Sequence, residues 1–484
     1  MDKSIFITGP DPTLELVYSD VWLPGLYSRR VMVFELPPSS SHEKVIDVMT
    51  RALKALVQGT PELGADSVVL PNASPYDPKL PWRALVKAKG IELVIKDVSK
   101  EIPSYKELET ANFPLSAFKD DLLMPIPGPI MPEPQPEAKF QLSFIEGGVI
   151  LSVCLYHHLT DGNGMNTITK ALGELCKQAS EQSGDLPPRA LDTDRSVFKK
   201  LNGGLTDLKD HPAYDIDSSG AFIPGAHHDE EAPPEAIGQE PEFRPHYYHL
   251  SHEKAQALKD YASRDTPVST HDAIAANIWR NLIQSRVQSG ELKTSTQIST
   301  YTIPHDARKH IDLPKTFVGN CTYFITAQAP ISEILHQDSL PLLAAKIRAA
   351  LNKVDRQHVE GMFSIRKKHV YHLSWWPILK AHDPEIVGFT SFYHSEILLF
   401  NDWGLTLGGE VKHFTSTNIG AFGSTFQRAH FVGPKFPGGG GGCHVHVGIT
   451  KAEEEFFRND LVWKRFFELR ETTIRSPLGK GLQP

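Results

Sequence analysis

Strand-like and helix-like patterns alternate through both halves of this 484-residue sequence, which predicts an α/β chain folded as two layered domains. Three observations carry that expectation. Residues 149–156 are almost uniformly apolar, which suits a strand buried on both faces. Directly after it Met165, Ile168, Leu172 and Leu175 recur at helical spacing, so a helix leaves the turn made by Asp161 and Gly162. Beyond residue 246 the alternation resumes, with a strand-like segment at 247–250 and a helical face of Ile274, Ile278, Leu282 and Ile283. No internal repeat is visible.

Taken in order, the first strand is expected at 31–36, whose residues alternate between two faces. Ser40 and Glu43 form a capping-box pattern ahead of a helix marked by Val45, Val48, Met49, Ala52 and Leu56 and closed by Gly59. Short strands and Pro-rich turns follow to about residue 115, and the proline-dense stretch 125–136 reads as an extended connector. A hairpin-like pair of strands spans 141–156, broken at Gly147-Gly148. Residues 201–245 carry prolines, glycines and acids with little periodicity; they are the expected linker between an N-terminal domain, 1–200, and a C-terminal domain, 246–484. In the second half Ser269 or Thr270 caps the long helix. Strands are expected at 297–303, 396–400, 411–414 and 443–448, and helices at 340–354 and 451–468.

Composition narrows the function classes. Fifty Lys and Arg against fifty-eight Asp and Glu give a net charge of −8, a poor balance for general nucleic-acid binding. The N-terminus lacks the apolar run of a signal peptide, and no apolar span is long enough for a bilayer, so no membrane partner is expected. Cys154, Cys176, Cys321 and Cys443 are scattered, which reads as buried free thiols in a reducing compartment. The expectation is a soluble, cytoplasmic monomer.

An ionisable group at the end of a buried strand, held by a tight turn, is a typical place for chemistry. Here that group belongs to His157-x-x-x-Asp161-Gly162. Other readings are weaker. The glycine run 438–442 lacks the lysine and the strand-to-helix setting of a phosphate loop and reads as a hairpin loop. His444 and His446 share a strand face but have no Cys or carboxylate partner at suitable spacing, so no metal is expected. Arg366-Lys367-Lys368 reads as a solvated face, with coenzyme A phosphates as its functional alternative.

Several stretches together resemble the BAHD family of acyl-CoA-dependent acyltransferases. Gln141-x-x-Phe144-x-x-Gly147-Gly148 followed by His157-x-x-x-Asp161-Gly162 is similar to the family's central block. The run from Ser269-Thr270-His271-Asp272 to Trp279-Arg280 resembles its long-helix block. Asp306-Ala307-Arg308, Leu313-Pro314 and Phe317-Val318-Gly319-Asn320 resemble its Asp-x-Arg to Gly-Asn segment. Thr390-Ser391-Phe392 and Asp402-Trp403-Gly404 are similar to its Thr-Ser-Trp and Asp-Phe-Gly-Trp-Gly signatures. Gly441-Gly442 through Val447, then Glu453 to Phe467, resembles its C-terminal end, and Pro61-Glu62-Leu63 a weaker early element. The blocks keep family order over nearly the whole chain. Phe392 replaces the tryptophan of the first signature, Trp403 the phenylalanine of the second, and Leu405-Thr406 its final Trp-Gly. These departures point to a divergent fungal branch, similar to trichothecene 3-O-acetyltransferases.

The resemblance implies two similarly folded, chloramphenicol-acetyltransferase-like domains around a central channel. It implies acyl-coenzyme A, most simply acetyl-coenzyme A, as co-substrate, no permanent cofactor, and a small-molecule alcohol as acceptor. Such transfer needs a base for the acceptor hydroxyl, donors for the tetrahedral oxyanion, and exclusion of water. A histidine with a pKa of about 6.5 is mostly neutral at cytosolic pH, which fits His157 as general base. The thioester is already activated, and no Gly-x-Ser-x-Gly elbow is present. By resemblance Asp161 pairs with an arginine that the sequence does not identify, and Thr390 faces the oxyanion. Ser269, Thr270 and Ser391 approach the coenzyme, with simple helix capping as the rival reading for the first two. Asp306, Arg308, Asp402, Trp403 and Gly404 are scaffold, with Asp402 and Arg308 as a distal ion pair. Tyr27 and Ser28 begin the acceptor pocket, and His158 is structural. Two rivals remain. Peptide-synthetase condensation domains carry two histidines, the second four residues before the aspartate; here His158 stands three before Asp161, which favours the free-standing transferase. A non-catalytic binding protein of the same fold is motivated by Phe392 and Leu405 and opposed by the intact His157 and Asp161.

Overall fold

The computed structural model describes residues 3–23, 25–126, 128, 131–216, 243–293, 297–375, 383–395, 401–416, 430–436 and 441–472. The first half is built on a six-stranded sheet in the order Lys3–Ile7, Ile91–Asp97, Ala138–Ile145, Gly148–Tyr156, Tyr27–Glu35 and His413–Ser416. Only the pairing of Ile91–Asp97 with Ala138–Ile145 is parallel. Gly148–Tyr156 lies inside the sheet and every one of its residues is buried, which is why it tolerates unbroken apolar sequence. The helices His42–Gly59 and Gly162–Glu181 cover one face. Their apolar stripes meet the sheet in a core that includes Leu53, Leu56, Leu151, Leu172 and Leu175. The opposite face buries Val31, Val33 and Ile150 under Tyr105, Leu108 and Leu123.

The second half carries a five-stranded sheet in the order Phe389–Ser391, His430–Val432, Gly442–Thr450, Phe243–Ser251 and Glu468–Thr472. Beside it runs the helix Thr270–Gln288, buried at every position from Asp272 to Arg286. A helix enclosed on all sides must satisfy its polar residues internally. Arg280 meets Asp460 at 2.9 Å, Asn281 donates to the Phe457 carbonyl at 3.1 Å, and Gln284 donates to that of Ile334 at 3.1 Å. A three-stranded sheet, Thr322–Pro330, Ile298–Asp306 and Ile386–Val387, completes this half.

Several boundaries differ from the expectations. The strand expected at 31–36 starts four residues earlier, at Tyr27, because Arg29 pairs with the half-buried Asp120 and Arg30 with the buried Asn166, so neither need stay outside. The helix after it is capped by Ser41, whose hydroxyl accepts from the Lys44 amide, rather than by Ser40. The terminal helix breaks in two, Lys451–Asn459 and Leu461–Phe466, because the Asp460 carboxylate caps the second by accepting from the Trp463 amide at 2.7 Å; the chain then returns as the strand Glu468–Thr472. From the expected linker, Tyr214–Ile216 pairs with Leu373–Trp375. Residues 217–242, the strand expected at 396–400 and glycines 438–440 lie outside the described residues. The four cysteines are buried free thiols, and no described helix is long and apolar enough to cross a membrane.

Candidate active site

His157 follows directly on the buried strand Gly148–Tyr156, and its amide donates to the Leu26 carbonyl at 2.8 Å. The side chain is half-buried. Its Nδ1 is enclosed and makes no hydrogen bond of regular geometry. Burial lowers the imidazole pKa below its ordinary value; the residue's own carbonyl, Asp161 and the Asn320 amide oppose that shift, and Arg30 adds to it. The ring is therefore neutral near pH 7 and able to take a proton. His158 points the other way: Nε2 lies 2.8 Å from the Leu23 carbonyl, and burial holds its pKa well below the usual value.

Asp161 is the N-cap of the motif helix Gly162–Glu181, accepting from the Asn163 and Gly164 amides at 3.1 Å each. Arg308 grips the same carboxylate with two near-parallel bonds, Nη1 to Oδ2 at 2.9 Å and Nη2 to Oδ1 at 2.8 Å, and the Cys321 amide donates to it as well at 2.8 Å. Burial alone would raise this carboxyl; the Arg308 charge and these donors hold it below the usual carboxylate value. Arg308 also donates to the carbonyls of Phe317 and Gly319 and pairs with Asp306 at 2.8 Å. The arginine left unidentified by the sequence is thus Arg308.

The expected pair of Asp402 with Arg308 is not made. Asp402 instead meets Lys177 at 2.9 Å on the motif helix and accepts from the Gly404 amide, on a partly exposed surface where neither partner is desolvated. Trp403 is fully buried against Phe34, and Leu405 is 85% exposed. Tyr27 also departs from expectation. It lies fully buried against Tyr156 with its hydroxyl on the Pro136 carbonyl, so it is a core residue and not a pocket wall. Ser28, the next residue, is nearly buried. Arg366 is likewise no solvated charge; its guanidinium lies 3.7 Å from the Trp22 ring centroid and donates to the Thr322 carbonyl.

Thr390 and Ser391 sit on the strand Phe389–Ser391, Thr390 exposed and Ser391 half-buried with its hydroxyl accepting from the Tyr393 amide. Ser269 caps the helix Thr270–Gln288 in a capping box with Asp272, and Arg348 donates to both side chains. Thr270 is half-buried at the first position of that helix.

Three further residues shape the histidine turn and were not found from sequence. The Asn320 amide donates to the carbonyls of His157 (2.8 Å) and His158 (3.0 Å), bridging the two halves. Arg195 donates to the carbonyls of Leu159 (2.8 Å) and Val318 (2.6 Å) and meets the buried Asp20 at 3.4 Å. Asn320 stood inside a recognised block without an assigned role; Arg195 and Asp20 carry no local signal. A separate cavity of about 400 Å³, lined by Asp192, Lys200, Asp312, Arg356 and the Leu313-Pro314 pair among others, includes neither His157 nor Asp161.

Two family descriptions match this chain: a trichothecene 3-O-acetyltransferase-like N-terminal domain over residues 26–176, and the transferase family over residues 136–405. The chain belongs to the transferase family. The BAHD resemblance is thereby borne out. Among curated relatives of this transferase, the enoyl-CoA isomerase/hydratase claC of Penicillium crustosum is 30% identical over 96% of this chain; the chain spans about half, 52%, of that relative's length. The trichothecene 3-O-acetyltransferase TRI101 of Fusarium sporotrichioides is 26% identical over 71% of this chain and 73% of its own. The crystal structure of Fusarium graminearum TRI101 with coenzyme A and deoxynivalenol superposes with a TM-score of 0.76 at 18% identity, covering 96% of this chain and all of that one. The transferase accordingly has the two-domain, chloramphenicol-acetyltransferase-like α/β fold.

Proposed function

We propose that this transferase moves an acyl group, most simply acetyl, from acyl-coenzyme A to a hydroxyl of a secondary-metabolite alcohol, as a cytoplasmic monomer. The observation that carries the reading is His157: a half-buried, neutral imidazole at a strand end, with Nδ1 enclosed and its turn clamped from the other half by Arg308 and Asn320. Its Nε2 takes the acceptor's proton as the hydroxyl oxygen attacks the thioester carbonyl. The tetrahedral oxyanion then collapses, the carbon–sulfur bond breaks, and the imidazolium returns the proton to the departing coenzyme A thiolate. Thr390, exposed on its strand, is the candidate donor to the oxyanion. Ser269, Thr270 and Ser391 are the candidate coenzyme contacts and Ser28 a candidate acceptor contact. The relatives named as acetyltransferases support the same chemistry.

The test is turnover with labelled acetyl-coenzyme A and an extract of the producing organism, the labelled product being identified by mass spectrometry. His157→Ala is expected to lower the rate about 10²–10⁴-fold with the fold retained. An unchanged rate would remove the general-base role, and turnover only with a carrier-protein-bound acyl group would establish the condensation-type alternative.

A further inference from the structure

Arg30 lies in the strand Tyr27–Glu35 and is 1% exposed. A buried guanidinium is normally matched by a carboxylate, as its neighbour Arg29 is by Asp120 at 3.0 Å. Arg30 forms no ion pair among the described residues. Its Nη1 donates to Asn166 Oδ1 at 2.8 Å, its Nη2 to the Gly162 carbonyl at 3.3 Å, and its Nε is buried without an acceptor. The guanidinium carbon lies 4.8 Å from the Phe392 ring centroid, and the Asn166 amide donates onward to Ser395 Oγ at 2.7 Å. One cation therefore joins a first-half strand, the opening turn of the motif helix and the second-half segment that follows Thr390 and Ser391. The carboxylate that acts on it, Asp161, is already engaged by Arg308.

We propose that Arg30 is a positioning residue for acyl transfer: it locks the first turn of the motif helix to the segment behind Thr390 and Ser391, and it leaves beside the imidazole turn a positive charge that no carboxylate contacts directly among the described residues. The inference rests on His157 acting as the base. A fixed cation there disfavours the imidazolium and favours the anionic tetrahedral intermediate. Burial pulls the pKa of Arg30 itself down only to about 9, with Asp161 opposing, so the charge persists at neutral pH. The groups acting on the imidazole are Arg30 from the strand, Asp161 from the motif helix, Asn320 from the opposite half, the adjacent His158 and the ring's own carbonyl.

The test follows the ring signal of His157 by NMR through a pH titration, assigned by its loss in His157→Asn. In Arg30→Gln the midpoint is expected to rise, with the acid limb of kcat/KM moving up in step. Arg30→Lys should keep the parent midpoint, and Asn166→Ala should lower kcat without moving it. Arg30→Met, which retains the packing stem, carries the same expectation as Arg30→Gln should the latter misfold. A folded neutral variant with the parent midpoint and rate would overturn the inference. The ring titration needs no turnover, so it stands apart from failure of the general-base reading, which His157→Ala reports.

Discussion

Asp161 accepts hydrogen bonds from Arg308, Cys321, Asn163 and Gly164, and this set saturates both of its oxygens. It has no strong acceptor position left for the imidazole, so in the proposed mechanism its part is to hold the turn that aims His157. Asp161→Asn would leave Arg308 as a buried charge without its main counterion, which is expected to cost about 3–5 kcal/mol, read by denaturant unfolding, together with most of the activity. A variant as stable as the parent yet inactive would instead give Asp161 a direct role. Asn320→Ala removes two donors from the carbonyls of His157 and His158; a loss of about 1–3 kcal/mol and a fall in kcat larger than any change in KM are expected from unfolding and steady-state kinetics. At this scale the sequence was informative where chemistry is local. His157 and Asp161 lie within one turn of each other and were legible as a unit. Arg308 is 147 residues from Asp161, and nothing in the linear order favours that carboxylate over Asp402.

The motif helix depends on two close approaches. A Cβ on Gly164 would lie 1.8 Å from Thr160 Oγ1, so Gly164→Ala must push apart the turn carrying His157 and the helix it starts; lowered melting temperature and lowered kcat together are expected, by scanning calorimetry and kinetics. Farther along, Gly173 lets Trp403 pack on the helix, and Gly404 continues that chain with a φ of +83°. Trp403→Ala would empty a fully buried site and is expected to cost about 3–5 kcal/mol, again by unfolding. Elements with clear periodicity were legible: both core helices of the first half, the hairpin before His157 and the long helix after Ser269. Their ends were less so, because caps and distant partners decide them. The pair Arg29-Arg30 hid the start of a strand that is apolar only from Val31 onward, and Asp460 gave no sign in the sequence that it would divide the last helix.

Across the whole molecule, buried imidazoles set the response to acid. His413 and His430 are pushed down to about 3, and His271 and His305 to about 4, chiefly by burial. In the unfolded chain the same rings protonate near pH 6.5, so the unfolded state takes up more protons as pH falls. Their contribution to stability is complete above about pH 6.5 and is lost progressively as pH falls toward 4 and then 3. Melting temperatures measured between pH 7.5 and 4.5 should therefore drop with acidity, and His413→Phe should flatten that dependence. The two-layer α/β class and the order of the blocks were readable from the sequence. The ties between the halves were not, since they join residues with no shared pattern, such as Asn320 with the turn at His157.

The strand His413–Ser416 comes from late in the chain yet zips onto residues 30–33, sealing one border of the first sheet. A fragment ending before residue 413 would bare a row of unsatisfied amides and carbonyls along Arg30 to Val33, a ready template for stray polypeptide. Severing the gene at its midpoint should thus yield a sticky remnant instead of a well-behaved miniature, and supplying the missing tetrapeptide region in trans is the natural remedy to try.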